Sequence, residues 1–155
     1  TEAGDYFYWS YPWNADPDRE AVVEAGVKVV SGWNNIIVSN GRAYERGAFC
    51  PDRLGLYEAR LEHQMDTTGD FHTYRVVLKG DDLQVFVDDR LCLDGTDKFT
   101  KPLPGRNDIR FGAANSPSLG EAYWRSVKLR YAAGQMTLSD LVLSVRRAPA
   151  VGDGD

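Results

Sequence analysis

A chain of 155 residues, 43% hydrophobic and 26% charged, can bury about two-thirds of its unfolded surface in one core without staples. Its 23 acidic and 18 basic residues leave a net charge of −5, so no field over the whole molecule gathers phosphates, and nucleic acid is not an expected partner. No apolar run approaches the roughly 18 residues of a membrane span, so no membrane insertion is expected. The opening "TEAGDYFYWSYPWN" lacks the basic and aliphatic regions of a signal peptide, and a chain beginning downstream of one would read the same way.

The dominant period is two, the mark of half-buried strands. In chain order, strands are expected near 6–9 and over 21–30, 35–40, 43–49 and 53–60. "EAVVEAGVKVV" contains the alanines and glutamates of a helix, but its valines, its central Gly26 and its alternation favour a strand. A meander of three strands follows in "FHTYRVVLKGDDLQVFVDDRLCLDG" (71–95). There Tyr74, Val76 and Leu78 share a face with His72, and Leu83, Val85 and Val87 repeat the pattern. "GDD" and "DDR" supply the turns.

Further strands are expected over 109–113, 122–131 and 140–146, with the Pro-rich loops 95–108 and 114–120 between. About ten short strands with turn signals every 8–12 residues indicate an antiparallel sandwich or barrel. One domain over 1–147 and a tail or linker, "APAVGDGD", over 148–155 complete the division. That tail suggests a fragment with neighbouring domains in a longer native chain.

Cys50 and Cys92 lie in separate strand-like segments and read as two buried thiols or one disulfide. His63 in "LEHQMD" is expected at the surface, and His72 to serve the scaffold. Two histidines without HxH or HExxH spacing do not make a zinc site. No G-x-S-x-G and no Gly-rich phosphate loop occurs, and no cofactor is required.

"FHTYRVVLKGDDLQVFVDD" resembles the strand pair of the concanavalin A-like lectin and glucanase superfamily, laminin-G-like domains included. Phe71 and His72 match its aromatic-His start, while Asp88 and Asp89 stand at its turn, with Asp89 replacing the usual Gly. "IRFGAANSPSLGEAYWRSVKLR" is similar to the family's Ile-x-Phe-Gly strand, variable loop and aromatic-rich strand, and "AVVEAGVKVVSG" to an early core strand.

The resemblance implies an all-β, antiparallel jelly-roll β-sandwich that hosts lectins, non-catalytic modules, hydrolases and lyases alike. It also implies that calcium, held by loop acids, is common. Asp5, Asp16, Asp108 and Asp140 are the candidates for a structural calcium ion, though no DxDxDG is present.

Family hydrolases carry Glu-x-Asp-x-Glu, which is absent here. Glu24, Glu45, Glu58 and Glu62 could converge as an acid pair, but lone strand glutamates more often meet water or a cation. The lyase motifs are absent too. Aromatics are more suggestive, because a planar ring beside Asn, Arg or an acid suits the apolar face and hydroxyls of a sugar.

In "SGWNN" Trp33 adjoins Asn34 and Asn35, while Trp9 and Trp124 are expected in the core. Tyr44 with Arg46, Glu58 with Arg60, and Tyr123 with Arg125 each share a face by period two. The expected ligand-binding set is therefore Trp33, Asn35, Tyr44, Arg46, Glu58, Tyr123 and Arg125, on a concave sheet face or loop rim.

The expected function is a carbohydrate-recognition module of a secreted or cell-envelope glycan-processing protein, with oligo- or polysaccharide as partner. A glycoside hydrolase or polysaccharide lyase with catalytic residues on the concave face, and a laminin-G-like protein-interaction module, are the alternatives.

Overall fold

The alternating apolar residues form strands that bury one face each. The computed structural model describes residues 7–113, 119–132 and 134–139. They form β1 (Phe7–Tyr11), β2 (Ala21–Gly32), β3 (Asn34–Ser39), β4 (Tyr44–Cys50), β5 (Arg53–Leu56) and β6 (Leu61–Gln64). There follow β7 (His72–Lys79), β8 (Asp82–Val87), β9 (Arg90–Gly95), β10 (Ile109–Ala113), β11 (Gly120–Tyr131) and β12 (Gly134–Ser139). The described residues form no helix, and so none long and apolar enough to cross a membrane.

Two six-stranded antiparallel sheets, β1-β10-β3-β4-β5-β6 and β12-β11-β2-β7-β8-β9, pack face to face as a jelly-roll β-sandwich. Four aromatics meet across the interior: Phe49 and Phe111 from the first sheet, Tyr74 and Trp124 from the second. Phe49 lies 4.5 Å from Tyr74 and 6.1 Å from Trp124, and Phe111 lies 5.2 Å from Trp124, ring centre to ring centre. Such pairs add about 0.5–1.5 kcal/mol each beyond the area they bury, which locks the two sheets in one register. Trp13 is also buried, its indole N–H donating to the Ser39 carbonyl at 2.7 Å.

The meander over 71–95 forms as expected. Its second turn places both Asp88 (φ 48°) and Asp89 (φ 66°) in the left-handed region, the pattern of a type I′ hairpin. His72 is structural: its Nδ1 lies 2.7 Å from the Asp88 carboxylate and its Nε2 3.2 Å from the Asp66 carbonyl. Asp88 also accepts the Thr73 N–H at 2.9 Å. Burial raises the Asp88 pKa, but the hydrogen bonds from His72 and Thr73 outweigh it and hold the carboxyl below its ordinary value. Asp88→Ala should therefore lower stability by about 1 kcal/mol near neutral pH, measured by urea denaturation. An unchanged midpoint would show that the hairpin stands without this clasp.

Several expectations are corrected. Residues 53–60 are not one strand, because the chain turns over 57–60 and returns as β6. His63 lies on the edge strand β6 opposite the core residue Leu54 and is half-buried. Trp124 is in the core, but Trp9, on the edge strand β1, is 44% exposed. β12 forms over Gly134–Ser139, a strand the pattern did not announce, while 140–146 and the tail 148–155 lie outside the described residues. Cys50 and Cys92 sit in different sheets as free thiols.

Candidate functional site

Register aligns the outer face of the first sheet into rows. Gly112, Asn35, Ala48 and Gly55 stand side by side on β10, β3, β4 and β5, and Tyr8 and Glu62 continue the row onto the edge strands β1 and β6. Their chain neighbours Ile36, Phe49 and Leu54 fill the core, so parity turns this row outward. Two glycines, an alanine and an asparagine leave a shallow lane across the strands.

Larger side chains flank the lane. Arg110, Ile37 and Arg46 form the row on one side, and Cys50 and Arg53 lie on the other. At the β4–β5 part of the lane, Trp33, Ala48, Gly55 and Tyr57 line a cleft of about 490 Å³.

Trp33 is placed by the backbone before it. Gly32 has φ +66°, and a Cβ there would stand 1.7 Å from the Leu119 carbonyl oxygen, so only glycine fits. The Trp33 N–H donates to that same oxygen at 2.8 Å. The half-buried indole meets the Tyr57 ring edge-on, with centroids 6.4 Å apart, and Tyr57 is 54% exposed. The Arg46 guanidinium carbon lies 4.1 Å from the centre of the Tyr57 ring, a cation–π contact.

The Arg46 Nε donates to Glu58 Oε1 at 2.7 Å. Burial first, and then the Glu58 carboxylate beside it, push the Tyr44 hydroxyl above its ordinary pKa. Asn35 is buried, and its side-chain oxygen has no hydrogen-bond partner.

Beneath these groups Glu45 occupies the inner side of β4 and is 1% exposed. Its Oε1 accepts the N–H groups of Arg46 (3.0 Å) and Glu58 (2.7 Å), and its Oε2 accepts that of Ala59 (2.9 Å). Burial pushes Glu45 up to about 7, against the pull of those three donors. One buried carboxyl thus clamps the turn that carries Tyr57 and Glu58 into the cleft.

Of the expected ligand-binding set, Trp33, Asn35, Tyr44, Arg46 and Glu58 come together around the first sheet's outer face. Tyr123 and Arg125 do not join them. They lie on β11 in the other sheet, outward from the buried Trp124, and Arg125 stacks on the Phe71 ring at 4.1 Å. Tyr57 and Arg53 line the cleft and were missed, while Glu62, weighed from sequence only as a member of an acid pair, lines it beside Arg53. Tyr57 continues the parity of Arg53 and Gly55, a signal readable in "RLGLY".

The four glutamates do not form one cluster. Glu24 meets Lys128 across β2 and β11 at 3.4 Å, Glu45 is interior, Glu58 holds Arg46, and Glu62 lies 3.5 Å from Arg53. No three acids, histidines or cysteines converge as a metal site among the described residues. Asp108 faces Arg106 (3.2 Å) and Arg110 (3.4 Å), a poor setting for calcium, and Asp16 caps its own turn by accepting the Asp18 N–H. Asp5 and Asp140 lie outside the described residues.

The sandwich and the site define a jelly-roll protein with a cleft over the β4–β5 part of one outer sheet face. No protein-family model matches the chain, and no curated protein does. Solved structures are similar to it: alginate lyase AlyC3, at 9% identity and TM-score 0.54 over 83% of this chain and 72% of that one. A glycosyl hydrolase-like protein from Parabacteroides distasonis shares 14% identity at TM-score 0.51, over 74% of this chain and 80% of its own. An uncharacterized protein from Mycobacterium paratuberculosis shares 13% at 0.51, over 79% and 76%. At such identities the common property is the fold.

Proposed function

We propose that this chain is a carbohydrate-recognition module of the concanavalin A-like type, acting outside the cell or in its envelope as part of a glycan-processing protein. The observation that carries this reading is the Trp33–Tyr57 pair beside the lane of small residues. Two rings held by backbone and cation–π contacts offer apolar faces to sugar C–H groups, while Arg46 and Glu58 beside them offer hydrogen-bond partners to hydroxyls. The fold shared with alginate lyase AlyC3 and the Parabacteroides protein supports a role in glycan recognition.

Binding fits the acids better than hydrolysis does. A general acid needs a raised pKa and access to the leaving oxygen. The strongly raised glutamate, Glu45, is interior, and its oxygens are taken by backbone N–H groups. Glu58 and Glu62, which do line the cleft, each face an arginine.

The test follows retention on a panel of neutral and acidic polysaccharides together with release of reducing or unsaturated ends. Trp33→Ala and Tyr57→Ala should each weaken retention about tenfold, a loss of roughly 1.4 kcal/mol, without product from the parent chain. Product release would replace this reading with catalysis on the same face. Neither retention nor product would point to a protein partner.

A further inference from the structure

We propose that the cleft selects an anionic saccharide, one bearing carboxylate or sulfate groups. This rests on the saccharide-binding reading and specifies its ligand. The charges lining the cleft divide into paired and unpaired ones. Glu58 is taken by Arg46, whose Nε donates to it at 2.7 Å, and Glu62 lies 3.5 Å from Arg53. Arg60 and Lys101 line the same cleft, are exposed, and have no ion-pair partner among the described residues. Arg53 also meets Asp52 at 3.0 Å, so Arg60 and Lys101 are the unpaired cations, and the lining charges, three cations against two acids, leave one positive charge in a chain whose net charge is −5.

The Arg46–Glu58 pair adds to it. Its solvent-facing member is the cation, with the Arg46 side chain 36% exposed and that of Glu58 11%. The Arg46 contacts run through Nε and Nη2, so the other guanidinium nitrogen keeps donors for a ligand oxygen. A planar guanidinium beside an aromatic ring suits an acidic sugar, since the ring covers the apolar face and the fork meets the anion.

Arg60 is informative by its backbone as well. Its φ is 57°, a left-handed conformation in which Gly or Asn would be the relaxed choice. The chain places a long cation there, at the end of the turn that delivers Tyr57 and Glu58 to the cleft. Asn at this position keeps the turn and removes the charge, which separates ligand selection from folding.

The experiment measures binding of the full chain to polygalacturonate, to its fully methyl-esterified form, and to dextran sulfate beside dextran, at low and moderate salt. The acid form should bind roughly tenfold tighter than the neutral ester, and the preference should shrink as salt rises. Arg60→Asn with Lys101→Gln should bind the ester as the parent does and lose the preference, while Lys79→Gln on the other sheet keeps it. Dextran sulfate bound as well as polygalacturonate assigns selection to charge alone, and polygalacturonate bound alone assigns it to the carboxylate. Equal binding of acid and ester, or a preference surviving in the double variant, overturns the proposal and leaves the module reading standing. Retention of no polymer, charged or neutral, overturns both.

Discussion

Glu45→Ala should lower the unfolding free energy by about 3–5 kcal/mol, the largest single loss expected in the first sheet. The side chain supplies the acceptor for three backbone N–H groups, at Arg46, Glu58 and Ala59, and alanine leaves all three without one. The 57–60 turn then loses its clamp, so Tyr57 and Glu58 leave the cleft and saccharide retention falls with stability. Glu45→Gln keeps one oxygen and turns an amide donor toward the remaining N–H, so a smaller loss, about 1–2 kcal/mol, is expected. Urea denaturation of both variants at pH 5 measures this, and a loss under about 1 kcal/mol for Glu45→Ala would show that the turn is set by other contacts.

The same group gives stability a direction with pH. Above 4.5 the unfolded chain has released this proton while the native state holds it to about 7. Stability therefore falls as pH rises through that window, by about 3 kcal/mol on this group's account, and levels off beyond. Asp88, with its lowered pKa, acts in the opposite sense: its contribution is complete above the ordinary value of 3.8 and is lost as pH falls below it. A stability maximum between about pH 4 and 5 follows, and Glu45→Gln should flatten its neutral side.

Gly55→Val should abolish saccharide retention while leaving the fold intact. A Cβ at Gly55 would lie 3.5 Å from the Leu61 carbonyl and 3.8 Å from the Glu62 Cγ, ordinary contact distances, and a β-branched residue suits a strand. The added side chain stands in the lane between Ala48 and Glu62. Stability within about 0.5 kcal/mol of the parent and retention weakened tenfold or more are the expected results. Full retention in this variant would move the ligand off the first sheet, with Tyr123 and Arg125 on the opposite face the next residues to test.

Alternation made the strands legible from sequence, because each half-buried strand carries its own period. It also gave the faces: Tyr44 and Arg46 do project together. What period two does not encode is the sheet to which a strand belongs, so Tyr123 and Arg125, in the same pattern as Tyr44 and Arg46, were grouped with a face on the far side of the sandwich. The turn over 57–60 was hidden for another reason. "YEAR" has no Gly or Pro, and its stop signal is the Glu45 carboxylate, more than ten residues upstream. Arg60 accordingly adopts a left-handed backbone that its residue type does not announce.

The lane runs across the strands, so its length is set by strand spacing. From Gly112 to Gly55 it makes three steps of about 4.8 Å, roughly 14 Å in all. If a saccharide lies along it as proposed, the site would grip the middle of a polymer with no need of its terminus. One long polysaccharide would then hold several copies of the module along its length, and a protein carrying two of them would bind far more tightly than either alone.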